Sequence, residues 1–125
     1  MDKLIKDFLA QKTYAVIGAS SNEEKYGNVI FKYLVKKGYK VYPVNRRLDI
    51  LDGVKVYPTL SAIPEKVDVV DVVVPPKITE EVVRECKALG ITRVWMQPGA
   101  ESDEAVKFCK ENGIDVVHGA CVMMN

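Results

Sequence analysis

The chain has 125 residues, and its eighteen Lys and Arg residues nearly balance seventeen Asp and Glu residues, which gives a formal net charge of +1. This length fits one domain, residues 1–125, and leaves no room for a second catalytic domain. The balanced charge predicts no nucleic-acid partner and no membrane surface. No apolar run approaches the ~20 residues of a spanning helix and no signal-peptide pattern begins the chain, so the expected location is cytoplasmic.

The three cysteines are odd in number and lack Cys-x-x-Cys spacing, which predicts neither a disulfide framework nor a metal site. Cys86 and Cys109 fall on the apolar stripes of predicted helices and should be buried. Cys121 follows the last predicted strand. It is therefore the candidate redox thiol.

Helices and strands alternate along the chain. Asp2, Thr79 and Ser102 are expected to cap three of the helices. The run of valines between Val67 and Val74 is typical of a strand buried on both faces of a parallel sheet. The pattern predicts the α/β class: a Rossmann-like, doubly wound parallel sheet of five to six strands in the order 3-2-1-4-5-6, with helices on both faces. The expected strands are 13–17, 39–44, 54–57, 67–74, 92–96 and 114–118.

The turn after the first strand is the main candidate binding site. Gly18 ends a β-branched and aromatic run, and Ala19, Ser20 and Ser21 follow it before a helix begins. Backbone N–H groups at such a turn, with the positive end of a helix dipole, bind anions. Ser20 replaces the second glycine of the dinucleotide fingerprint, so NAD is not the expected ligand. We expect Gly18→Val to abolish binding with the fold retained.

The end of the second strand favours a phosphorylated ribose. NAD-binding domains usually place an acidic residue there, whereas this chain has Asn45, Arg46 and Arg47. Arginine binds phosphate oxygens in a bidentate manner, and both the 2′-phosphate of NADP and the 3′-phosphate of coenzyme A (CoA) fit this site.

Further candidates lie at the ends of the later strands. Pro75 and Pro76 form a rigid apolar wall for an adenine or pantetheine group, and Gln97 and Gly99 belong to a second glycine turn at the same edge. Asp71 interrupts the valine run and should be hydrogen-bonded as a structural anchor.

Taken in order, these segments resemble the small stand-alone CoA-binding proteins, whose Rossmann-type domain also occurs in the succinyl-CoA ligase alpha subunit. The matching segments are Val16-Ile17-Gly18-Ala19-Ser20, Lys25-Tyr26-Gly27, Gly38-Tyr39, Tyr42-Pro43-Val44-Asn45, Val56-Tyr57-Pro58, Val67-Asp68-Val69-Val70-Asp71, Val94-Trp95-Met96-Gln97-Pro98-Gly99 and Cys121.

The resemblance implies that the Gly-Ala-Ser turn receives phosphates, that the end of strand two reaches the phosphorylated ribose, and that the end of the next central strand lines the nucleotide. Tyr26 and Gly27 belong to the same motif as Lys25. Many relatives have Pro-Val-Asn-Pro where this chain has Asn45 followed by Arg46. The implied contacts are Gly18, Ala19, Ser20, Lys25, Asn45, Arg46, Val74 and Pro75.

The expected function is binding of CoA, an acyl-CoA or CoA disulfide, with no catalytic residue and no enzyme activity of its own. One alternative is an NADP-dependent reductase, whose Tyr-x-x-x-Lys pair could only be Tyr33 and Lys37. Another is the CoA-binding subunit of an acyl-CoA ligase that needs a partner chain, with His118 as the only histidine. Cys121 is expected to form a mixed disulfide with CoA or to join two chains as a homodimer.

Overall fold

The computed structural model describes residues 1–125 as a parallel β-sheet between two layers of helices. The strands are β1 Thr13–Ile17, β2 Lys40–Val44, β3 Ile50–Leu51, β4 Val54–Lys55, β5 Val69–Val72, β6 Arg93–Met96 and β7 Asp115–Val117. The helices are α1 Asp2–Leu9, α2 Tyr26–Lys36, α3 Pro76–Leu89 and α4 Asp103–Glu111, with 3-10 turns at Leu60–Ala62 and Val122–Met124. The main sheet has the order β2-β1-β5-β6-β7, which confirms the predicted doubly wound α/β class.

Both faces of the sheet are buried. All four residues of β5 are inaccessible to solvent, as the valine run predicted. One face carries an apolar cluster shared with α1 and α2, and the other carries a cluster shared with α3 and α4. None of the helices is both long enough and apolar enough to cross a bilayer.

Helix α1 covers β6 on the first face. The Phe8 ring packs edge-on against Trp95, with 6.1 Å between centroids, and the Tyr14 hydroxyl donates to the Phe8 carbonyl at 2.8 Å. Arg93 Nε forms an ion pair with Asp7 Oδ2 at 2.8 Å. The prediction that Asp2 caps this helix is wrong, because Met1 holds the cap position and Asp2 is already helical.

The predicted third strand, residues 54–57, lies beside β2 as expected but pairs with it through a single β-bridge, between Tyr57 and Val44. β3 and β4 form an antiparallel hairpin, because the chain reverses at Asp52 and Gly53, both with positive φ. Tyr57 then donates its N–H to the Pro43 carbonyl and accepts from the Asn45 N–H. Pro58 follows directly and has no N–H, so the ladder cannot continue.

Helix α3 begins earlier than predicted. Pro75 caps it and Pro76 is its first residue, where a fixed φ suits the helix and a missing N–H costs nothing. Thr79 lies buried inside the first turn and does not cap the helix. The Ser102 cap of α4 is confirmed, since its hydroxyl accepts the Ala105 N–H at 3.0 Å.

The start of α2 crosses the end of β1 at unusually short range. A Cβ on Gly27 would lie 1.9 Å from the Gly18 carbonyl oxygen, and a Cβ on Gly18 would lie 2.4 Å from the Val73 carbonyl oxygen. Gly18 also has a φ of 97°. Both obstacles are backbone atoms, so Gly18→Val would disturb the fold itself, contrary to the expectation from the sequence.

Gly27→Ala should therefore destabilise the protein by roughly 1 to 3 kcal/mol, the usual cost of overpacking. At an ordinary helix position the same change stabilises by about 1 kcal/mol. Urea unfolding of the parent and of Gly27→Ala measures the difference in their unfolding free energies. Val29→Ala, at an exposed position in the same helix, is the control and should change stability by about 0.5 kcal/mol or less. A Gly27→Ala protein as stable as the parent would contradict the close crossing.

Candidate functional site

A cleft of about 500 Å³ opens where β1, β2 and β5 end and α3 begins. This is the expected place for a ligand, since the strand order reverses between β1 and β5. Six of the predicted site residues line it: Gly18, Lys25, Asn45, Arg46, Arg47 and Val74.

The cleft has two chemically different sides. Lys25, Arg46 and Arg47 are exposed, and none of them forms an ion pair within the chain. The α3 side carries the apolar Ile78 and Val82 together with the carboxylates of Glu81 and Glu85. A ligand with an anionic part and an uncharged ring matches this division.

The Gly18 turn presents unused backbone donors beside the cleft. The N–H groups of Ser20, Ser21 and Tyr26 make no hydrogen bond within the chain. The loop is held in place by Asn28 Nδ2, which donates to the Ser20 carbonyl at 2.7 Å. Free donors of this kind at a helix N-terminus suit a phosphate.

Asn45 has a structural task as well as a place in the cleft lining. Its Nδ2 donates to the Ala19 carbonyl at 2.7 Å, and its Oδ1 accepts the Arg47 N–H at 2.7 Å. The side chain thus ties the end of β2 to the Gly18 turn and orients the segment that carries the two arginines.

The other predicted residues lie outside the cleft lining. Ala19 and Gly27 are buried beneath the turn, and Pro75 and Pro76 are exposed at the start of α3. The remaining ones are Ser20, Ser21, Tyr26, Gln97 and Gly99. Gln97 is fully buried and the Gly99 N–H already donates to Glu101, so neither the Gln97 amide nor the Gly99 N–H is free to bind a ligand.

Several lining residues gave no local signal in the sequence. Pro58, Thr59 and Leu60 reach the cleft because the single bridge at Tyr57 carries the following turn over the end of β2. Glu81 and Glu85 belong to one face of α3 by their i, i+4 spacing. Only the position of α3 against the sheet, however, reveals that this face borders a cleft.

Asp71 is hydrogen-bonded inside the sheet, as predicted. Gln97 Nε2 donates to its Oδ1 at 2.8 Å, and Gln97 Oε1 accepts the Val122 N–H at 3.1 Å. Oδ2 of Asp71 has no partner. Burial raises the pKa of Asp71 to about 7, although the hydrogen bond from Gln97 lowers this pKa in part.

Cys121 lies next to the start of α2. Its Sγ is 2.5 Å from the Tyr26 hydroxyl oxygen, and it is only partly buried. Burial and the contact with Cys121 raise the pKa of Tyr26, and the charge of Asp71 adds to this. Cys86 and Cys109 are fully buried, as expected. No group of three or more metal-ligating side chains occurs.

A five-stranded parallel sheet between helices, with a cationic cleft at its switch point, defines a Rossmann-like α/β domain. Residues 12–125 match the family model of the CoA binding domain, and the chain belongs to this family. The resemblance to small CoA-binding proteins is thereby confirmed.

The chain is 33% identical to the alpha subunit of acetate–CoA ligase [ADP-forming] II of Pyrococcus furiosus, over 92% of this chain and 28% of that relative. It resembles two solved structures described as hypothetical proteins. One, from Pyrococcus furiosus, has a TM-score of 0.87 and 42% identity and covers 90% of this chain and 97% of that one. The other, from Pyrococcus horikoshii, has a TM-score of 0.93 and 38% identity and covers 99% of this chain and 88% of that one.

The buried carboxyl group gives a prediction about pH. The folded-state pKa of Asp71, about 7, lies above its ordinary value of 3.8, so the folded chain holds this proton more tightly than the unfolded chain does. The contribution of Asp71 to stability is therefore lost as pH rises from about 4 to 7. In the parent protein the unfolding free energy, measured with urea, should fall by roughly 2 to 4 kcal/mol between pH 5 and 8. Asp71→Asn mimics the protonated carboxyl group, so this fall should be absent in the variant.

Asp68→Asn is the matched control. Burial raises the pKa of Asp68, but hydrogen bonds from Thr13 and Lys12 outweigh this and lower it overall. Asp68 is therefore ionised at both pH values, and its substitution should destabilise the protein equally at pH 5 and pH 8. An Asp71→Asn protein with the same pH dependence as the parent would refute the raised pKa.

Proposed function

We propose that this chain binds CoA or an acyl-CoA in the cleft at the switch point. The 3′-phosphate would contact Arg46 and Arg47, and the pyrophosphate would contact Lys25 and the free N–H groups of the Gly18 turn. The observation that carries this proposal is the set of three unpaired cations beside unused backbone donors at one end of a partly apolar cleft.

The α3 side of the cleft suits the adenosine. Leu60, Val74 and Ile78 offer apolar contacts for the faces of the ring. The exposed Glu81 carboxylate is an acceptor for the amino group of adenine, whereas Glu85 already accepts the Ser61 N–H.

An NADP-dependent reductase fits the structure less well. Its candidate pair, Tyr33 and Lys37, lies at the end of α2 remote from the Gly18 turn, with the Lys37 ammonium group over the Tyr33 ring at 5.5 Å. His118 borders a separate groove near Glu101 and Ser102 and does not line the cleft. Neither the Tyr33–Lys37 pair nor His118 thus faces the proposed ligand.

A second candidate function is that of the CoA-binding subunit of an acyl-CoA ligase. The alpha subunit of the Pyrococcus furiosus ligase supports it, because this chain matches only 28% of that protein's length. A partner chain would then supply the catalysis. This chain alone should form no acetyl-CoA from acetate, CoA and ATP, whereas formation by the isolated chain would overturn the binding-only proposal.

The 3′-phosphate contact is testable by calorimetry with CoA and dephospho-CoA. The parent protein should bind CoA more tightly. Replacing both Arg46 and Arg47 with Ala removes charge-assisted bonds, each worth about 1.5 to 3 kcal/mol, and should weaken CoA at least tenfold while sparing dephospho-CoA.

The control replaces Lys36 and Lys37 with Ala, which removes the same charge from two exposed neighbours outside the cleft. It should leave the preference for CoA unchanged. Equal affinities of the parent for the two ligands would reject the arginine assignment, and competition by NADPH at equal concentration would favour the reductase.

A further inference from the structure

We propose that Cys121 undergoes thiol–disulfide exchange with CoA disulfide bound at the cleft and so forms a covalent protein–CoA mixed disulfide. This inference rests on the proposed function and adds a modification site to it. The thiol contacts the start of α2, and a buried carboxyl group with an unpartnered oxygen lies in the same part of the fold.

Two hydrogen bonds fix the chain on both sides of Cys121. Trp95 Nε1 donates to the Ala120 carbonyl at 2.8 Å, and the Val122 N–H donates to Gln97 Oε1 at 3.1 Å. Gln97 is in turn held by Asp71. The thiol is thus held at a defined position at the carboxyl edge of the sheet and remains partly exposed.

Tyr26 connects this thiol to the proposed phosphate site. Its backbone N–H is one of the unused donors at the start of α2, and its hydroxyl touches Cys121 Sγ. The sulfur therefore lies one tyrosine side chain away from the phosphate position. The pantetheine arm of CoA is longer than a tyrosine side chain and ends in a thiol, so it spans this distance.

The order of groups along the edge matches the order in CoA. Arg46 and Arg47 follow β2, Gly18 follows the neighbouring strand β1, and Cys121 contacts Tyr26 at the start of α2. In CoA the phosphorylated ribose comes first, then the pyrophosphate, then the thiol. Cys121 and Tyr26 do not line the cleft itself, so it is the pantetheine arm, extending beyond the cleft, that would reach the thiol.

Asp71 adds a second polar group to the same region. It lies between Val69 and Val73 on the sheet face that α2 covers. Its Oδ2 is inaccessible to solvent and no residue of the chain satisfies it. Gln97 bridges Asp71 to the Val122 N–H, so this unused buried acceptor is tied by hydrogen bonds to the residue that follows Cys121.

The exchange balances without a further reactant. The Cys121 thiolate attacks one sulfur of CoA disulfide, the S–S bond of that ligand breaks, and a new S–S bond joins Cys121 to one CoA. The second CoA leaves as a thiolate and takes up the proton that Cys121 released. The protein thiol is oxidised, one half of CoA disulfide is reduced, and the Tyr26 hydroxyl donates to the sulfur while it is ionised.

The other two thiols serve as internal controls. Cys86 and Cys109 are fully buried, and burial raises the pKa of both, that of Cys109 to about 11. Neither is accessible to a disulfide in the folded protein.

The test is intact-mass measurement of the parent protein after incubation with CoA disulfide or, in parallel, oxidised glutathione, which lacks the nucleotide. We expect one CoA adduct, removed by dithiothreitol and absent in Cys121→Ser, forming roughly tenfold faster than the glutathione adduct because binding concentrates the reagent at the thiol. Adenosine 3′,5′-bisphosphate should slow the CoA reaction only. Tyr26→Phe, which keeps the ring, should slow the exchange with both disulfides.

Absence of an adduct, an adduct that persists in Cys121→Ser, or equal rates with the two disulfides and no protection by the nucleotide would each overturn the inference. Calorimetry of the parent protein with reduced CoA separates this result from the proposed function. If CoA binds and no selective adduct forms, only the exchange at Cys121 is rejected. If CoA does not bind and the two disulfides react equally, both proposals fail.

Discussion

The close crossing of Gly18 and Gly27 is the constraint on which the rest of the site depends. Two missing Cβ atoms let the first turn of α2 rest on the carbonyl oxygen of Gly18, and let Gly18 rest on the carbonyl oxygen of Val73. The ends of β1 and β5 and the start of α2 are thereby brought to one point. The free N–H groups, Lys25 and Tyr26 all take their positions from this contact.

The sheet was predictable because its signals are local and repeated. An unbroken valine run identifies β5, and alternation of strands with amphipathic helices requires a parallel sheet with crossovers. The third strand was not predictable from such local signals. The chain reverses at Asp52 and Gly53 and meets Pro58, and these two features decide whether residues 54–57 join the sheet. The start of α3 was misjudged because a threonine followed by two glutamates outweighed the better signal of Pro76 at the first helical position.

The site was predictable where it consists of strand ends. Gly18, Asn45, Arg46 and Val74 follow their strands directly, and parallel topology brings those ends to one edge. The same rule misplaced Gln97, whose buried amide bonds to Asp71 and to the last turn. Glu81 and Thr59 enter the cleft through the packing of α3 and through a bridge, neither of which leaves a pattern in the sequence.

Helix α1 shows that the boundary of this domain in sequence differs from its boundary in space. The family match begins at residue 12, after α1 has ended. Yet Phe8 is fully buried against Trp95, Tyr14 directs its hydroxyl to the carbonyl of Phe8, and Arg93 pairs with Asp7. The core beneath β6 is therefore completed by residues outside the segment that the family model matches. A fragment cut at residue 12 would uncover the Trp95 indole and the Tyr14 phenol, so the unit that packs in space extends beyond the segment that the family model matches.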